Sequence, residues 1–168
     1  MRKFGMVSCF AIFVASTALA QTAPPAAPPL LKVFAASAEI PALIAKAKAE
    51  RKPDQPLLAQ PILSLAPYRA SLEYRAGNSP PASHDKDAEM FYVLEGSATL
   101  VTGGKLVDEK RTNPLNFTGT AITGGHEQVI AKGDFAIVPE NTPHQIILIG
   151  GAPVALMSIH LPRPIPTP

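Results

Sequence analysis

The chain has 168 residues, a length that suits one domain plus extensions. Its 15 basic and 13 acidic side chains come into balance once Arg2 and Lys3, which lie in a leader-like segment, are set aside. A balanced chain with no basic stripe has little long-range attraction for nucleic acid or anionic lipid, so no nucleic-acid partner is expected. Cys9 is the single cysteine and falls in the same leader. The remainder therefore excludes disulfides, thiolate catalysis and cysteine-ligated zinc.

The amino end reads as a secretory signal peptide over residues 1–20. Arg2 and Lys3 form the basic start, Phe4 to Thr17 is apolar or small, and Ala18-Leu19-Ala20 is an A-x-A cleavage signal. The apolar run is too short for a transmembrane anchor. Cys9 lies inside it rather than at the cleavage point, which argues against lipidation. A periplasmic or secreted protein with no stable membrane anchor is expected. Residues 21–36 form an Ala/Pro-rich linker.

Residues 37–51 predict a helix of three to four turns. Ser37 is placed to cap it, Glu39 sits in the first turn, and Ile40, Leu43, Ile44 and Ala47 share one face. Pro53 and Pro56 block its continuation. From residue 57 the pattern changes to strands and turns. Candidate strands are Leu57 to Leu65 (interrupted by Pro61), Ala70 to Arg75, Met90 to Leu100 with a bend at Gly96, Gly119 to Ile122, Glu127 to Ala131, Phe135 to Val138, Gln145 to Ile149 and Val154 to Leu161. Thr102-Gly103-Gly104-Lys105 predicts a hairpin turn. Short strands between Gly-rich turns imply an all-β barrel or sandwich over residues 57–162. The tail 163–168 is Pro-rich and PPII-like.

Two stretches carry the chemistry. One is His84-Asp85-Lys86-Asp87-Ala88-Glu89-Met90-Phe91-Tyr92-Val93-Leu94-Glu95-Gly96, and the other runs from Gly133 through Pro139 to His144. Strand alternation puts Glu89 on one face with Phe91 and Val93, and Tyr92 on the other. A carboxylate on an apolar face costs on the order of several kcal/mol if it stays ionised and unpaired. Something must satisfy it, and a divalent cation would. His144 likewise begins an apolar strand, sharing its face with Ile146 and Leu148.

These stretches resemble the two motifs of the cupin superfamily, G-x5-H-x-H-x3,4-E-x6-G and G-x5-P-x-G-x2-H-x3-N. Glu89 and Gly96 fit the end of the first motif, and His84 fits its second histidine. Ala82 stands where the first histidine would fall. In the second motif Gly133, Pro139 and His144 match, while Asn141 replaces a glycine and Leu148 the closing asparagine. The resemblance covers roughly residues 70–160. It implies an all-β fold, a single cupin-type β-barrel (double-stranded β-helix or jelly roll) with an N-terminal helical extension. It also implies a metal site of His84, Glu89 and His144. Two imidazoles and a carboxylate suit Fe, Mn, Zn or Ni and leave positions open for a small-molecule ligand or substrate.

Other assignments stay open. Glu89 could pair with Lys86 or Arg75 in a metal-free core, and His144 could be a hydrogen-bonded core residue. Asp87 reads as a turn residue with a fourth-ligand role as the alternative. His126 is expected on the surface, and His160 in the core or an interface rather than at a metal. Phe135–Val138 and Ile146–Ile149 are apolar on both faces, so a cover is expected: the helix, the Leu57–Leu65 segment, or a second subunit in a homodimer. Three functions follow: a metal-dependent enzyme (oxygenase, isomerase or lyase), a non-catalytic binding module, and a structural barrel without metal.

Overall fold

The structure, a computed structural model, describes residues 31–163. The leader, most of the linker and the tail after Arg163 lie outside the described residues.

Helix α1 spans Glu39–Glu50 and buries Ile44 and Ala47. Ser37 does not cap it. Ala38 occupies the cap position without a side-chain bond. The Glu39 carboxylate instead reaches back to accept from the Ala36 amide at 2.7 Å and the Lys32 ammonium at 2.7 Å. These bonds fix the segment that leads into the helix and leave the first-turn amides without a side-chain cap. The last residues of the expected linker are also tied down, since Lys32 and Ser64 exchange backbone hydrogen bonds of 2.9 and 2.8 Å.

Thirteen strands follow. They are β1 Leu57–Leu65, β2 Tyr68–Arg75, β3 Ala82–His84, β4 Asp87–Glu95, β5 Ser97–Thr102, β6 Lys105–Val107, β7 Lys110–Asn113, β8 Asn116–Thr118, β9 Ala121–Thr123, β10 His126–Ala131, β11 Phe135–Val138, β12 His144–Leu148 and β13 Val154–Pro162. One sheet has the order β1-β2-β13-β4-β11, a second the order β10-β5-β12-β3-β8-β7, and β6-β9 is a separate ribbon. Pro61 causes a register shift in β1. It is tolerated because β1 is an edge strand.

Gly96 is where the chain passes from the first sheet to the second, between β4 and β5. Its φ is +79°, and a Cβ there would meet the Pro153 carbonyl oxygen at 2.7 Å, so both backbone geometry and space require glycine. The Thr102–Lys105 turn forms, but not as a hairpin. Lys105–Val107 pairs with Ala121–Thr123, while β5 pairs with β10 and β12. Turn residues specify a reversal of direction. They do not specify which strand completes the pair.

Two apolar layers result. Phe91, Val93, Leu100, Ile146 and Leu156 fill the space between the sheets. Ile44, Ala47, Ile62, Leu72 and Tyr74 lie between α1 and the outer face of the first sheet. The helix therefore covers β1 and β2 and leaves β11 bare, with Phe135 68% and Ile137 61% exposed. The expected cover of Phe135–Val138 does not come from within the described residues. Truncating Ile44 to alanine removes the main contact of α1 with that outer layer. It should lower stability by about 2–5 kcal/mol in urea unfolding and leave metal content unchanged.

Candidate metal centre

Strand register builds the centre. Glu89 faces inward from β4, as alternation requires, with a side chain only 5% exposed. His160 on β13 lies directly across from it in the ladder. His84 ends β3 and His144 begins β12, both in the second sheet. The two sheets thus bring the four side chains together between them.

The distances converge on the carboxylate. His84 Nε2 and His144 Nε2 each lie 3.0 Å from Glu89 Oε2. His160 Nε2 lies 3.4 Å from Oε1, and the Ser158 hydroxyl donates to the same oxygen. The donor atoms of His84, Glu89 and His160 all fall within 4.8 Å of one another. His144 joins through Glu89 and through its ring, 5.1 Å from that of His84 between centroids. The three residues selected from sequence therefore meet.

Three expectations change. His160 is not merely a core or interface residue, because it shares the carboxylate with the other rings. Asp87 is neither a turn residue nor in contact with Glu89: it opens β4 and bonds His160 Nδ1 at 3.3 Å. Glu89 pairs with neither Lys86 nor Arg75, since Arg75 is engaged by Glu73 at 2.7 Å. His126 is exposed, as expected. Tyr92 faces outward and packs on Phe135 with ring centroids 4.4 Å apart.

The far nitrogen of each ring also meets an oxygen. His84 Nδ1 faces Asn116 Oδ1 at 2.7 Å, His144 Nδ1 faces the Thr142 carbonyl at 3.1 Å, and His160 Nδ1 faces Asp87. A neutral imidazole has one N–H. Spent on the outer oxygen, it leaves Nε2 with a lone pair aimed at a carboxylate. Three such lone pairs around one anion repel it. Either each ring takes a second proton, or a cation sits between the Nε2 atoms and Glu89. Outer oxygens that fix the tautomer and turn Nε2 inward are what histidine metal ligands ordinarily have. The donor set of His84, Glu89 and His160 could thus hold a divalent cation, with His144 bonded to the same carboxylate.

Without a cation, the surroundings favour an ionised Glu89 and a protonated His84. Burial disfavours the charged form of Glu89, but hydrogen bonds with His144, His160 and His84 outweigh it and hold the carboxyl well below the usual range. For His84, burial pulls the pKa down, yet bonding to Glu89 and Asn116 prevails and raises it above the ordinary imidazole value. The sequence placed His160 on the face of Ser158, and that serine–histidine pair on an otherwise apolar strand was the available signal. The partner strand was not legible.

No family model matches the sequence, and no curated protein matches it. Solved structures do. The TT1209 protein of Thermus thermophilus is 18% identical with a TM-score of 0.50, over 70% of this chain and 93% of that one. A double-stranded beta-helix domain protein of Klebsiella pneumoniae is 14% identical over 69% and 85% of the two chains, TM-score 0.49. A cupin 2 conserved barrel domain protein of Salinispora arenicola is 16% identical over 69% and 84%, TM-score 0.47. The two motifs lie side by side, β4 pairing with β11 in one sheet and β3 with β12 in the other, and the paired sheets give the chain a cupin-type double-stranded β-helix fold.

Metal ligation needs Nε2 unprotonated. Adding zinc to metal-free protein should therefore release protons, read with a pH dye in weak buffer. Bound zinc should fall as pH drops through the raised His84 value. Zinc content that stays constant across that range would remove His84 from the ligand set.

Proposed function

We propose that the protein is an exported metal-dependent cupin that acts on a small polar molecule. The observation that carries this reading is the trio of imidazoles, each with its outer nitrogen facing an oxygen and its inner nitrogen turned to one buried carboxylate. Bound there, a divalent cation would act as a Lewis acid toward a ligand oxygen. Iron, manganese, zinc and nickel all suit the donors. The chain's own part is to hold the rings in one tautomer, keep Glu89 ionised, and pack Phe91, Val93 and Leu156 into the interior between the sheets, which excludes water there. Oxygenation, isomerisation and lyase chemistry are the candidate reactions.

A non-catalytic binding module is the second reading, and one observation favours it. Tyr92 faces outward, and Glu73, the carboxylate that lines the cleft beside His144, is already paired with Arg75. Elemental analysis of protein from its native compartment tests the common ground of both readings. His84→Ala and His144→Ala should each abolish most of the bound metal, and His160→Ala should weaken retention at least tenfold. Stoichiometric metal in all three variants would overturn the site assignment, and parent protein free of metal would leave only a structural barrel.

Export and self-association belong to the same proposal. Cleavage before Gln21 is read by amino-terminal sequencing of the native protein. A homodimer would bury Phe135 and Ile137 of the bare β11 face, which matches the exposure of both. Ile137→Asp should then convert a dimer to monomer in light scattering.

A further inference from the structure

The inward face of β2 carries an ion pair that the metal centre does not use. Ser71, Glu73 and Arg75 alternate toward the interior, and Leu72 and Tyr74 toward the helix. Arg75 donates through Nε at 3.0 Å and Nη2 at 2.7 Å, both to Glu73 Oε2. Nη1 of Arg75 and Oε1 of Glu73 have no hydrogen-bond partner among the described residues. No buried side-chain nitrogen or oxygen there lacks a partner, so these two atoms reach solvent. Both residues line a cleft of about 240 Å³ together with His144, Ala82, Pro80 and Ile146. Ala82 is the position at which the cupin motif would carry its first histidine. Its short side chain helps leave the cleft open beside His144.

An ion pair made only for stability would be poorly placed here. Desolvation offsets most of the attraction in a buried pair, and apolar residues of similar volume commonly serve at least as well. This pair is 13% and 14% exposed at its side chains, and it leaves one donor and one acceptor without an internal partner on two residues that line a cleft shared with His144 of the centre.

We infer that the Glu73–Arg75 pair is the recognition site for the hydroxyl groups of a polyhydroxylated small molecule, a neutral polyol or sugar. The inference rests on the proposed metal-dependent function and supplies its substrate class. A hydroxyl both donates and accepts. It can give its proton to Glu73 Oε1 while it, or its neighbour on the carbon chain, accepts from Arg75 Nη1. A carboxylate only accepts and is repelled by Glu73, and an ammonium only donates and is repelled by Arg75. The pair is neutral as a unit, so it selects for ligands that use both sides. Pro80, Ala82 and Ile146 give the carbon skeleton an apolar wall. The cleft is smaller than the ~300–1,000 Å³ of drug-sized pockets and suits a ligand of monosaccharide size or less.

Calorimetric titration of the full chain tests this, with erythritol, xylitol and D-glucose against acetate and succinate, on zinc-loaded and metal-free protein. At least one of the three hydroxylated compounds should bind, and neither acid should compete. Arg75→Met and Glu73→Gln should each weaken that binding about tenfold or more, the usual effect of losing a hydrogen bond to a charged group. Arg75→Lys, which keeps the charge and the fold, should weaken it less. Zinc content should match the parent protein in all three variants, because none of these residues touches Glu89. The inference is overturned if no hydroxylated compound binds zinc-loaded protein, if succinate binds in an Arg75-dependent way, or if Arg75→Lys and Glu73→Gln both bind as the parent does. Failure of the metal centre shows separately, as absence of zinc from the parent protein. In that event the metal-free titrations decide the cleft's role by the same criteria.

Discussion

The architecture depends on one buried carboxylate. Glu89 sits between two apolar sheets, beside Phe91 and Val93 on its own strand, where an unpaired charge would cost several kcal/mol. Its neighbours solve that problem from several parts of the chain. His160 and Ser158 come from β13 alongside, and His84 and His144 come from the opposite sheet. The rings are held in turn by Asn116 on β8, by the Thr142 carbonyl just before β12, and by Asp87 at the start of β4. The β7–β8 hairpin and the turn before His144 are thus positioned by hydrogen bonds that lead back to the same anion.

The N-terminal extension works on a different problem. Strands β2 and β13 carry apolar residues on the outer face of their sheet, and Ile44 and Ala47 of α1 pack into that layer. The Lys32–Glu39 contact and the Lys32–Ser64 bridge tie the extension to its helix and to β1. The same cover stops short of β11, where Phe135 and Ile137 remain in solvent. One sheet face is therefore finished by the chain's own extension along part of its width.

Much of this was legible in the residue order, for reasons that are local. Alternation over Glu89 to Val93 identified the inward carboxylate, because a strand has only two faces. The helix was legible from its apolar spacing and from the prolines after it. The spacing of His84, Glu89 and His144 matched a known motif pair. What stayed hidden was non-local. Lys105–Val107 and Lys110–Asn113 are short and polar, and they become strands only because Ala121–Thr123 and Asn116–Thr118 lie beside them. His160 could be placed on the face of Ser158, but its position opposite Glu89 is a matter of register between strands some seventy residues apart. Ser37 makes no cap because the helix begins one residue later, at Glu39, with Ala38 at the cap position.

The origin of the four donors has a mechanical consequence. Glu89 and His160 belong to one wall of the sandwich, and His84 and His144 to the other. An ion held by all four would be a rivet through both walls, and the width of the gap between them would be set partly by bond lengths to the ion instead of by side-chain packing alone. Any spreading of the walls that admits a guest would then strain the rivet. Guest entry and grip on the ion would become two readings of the same small displacement.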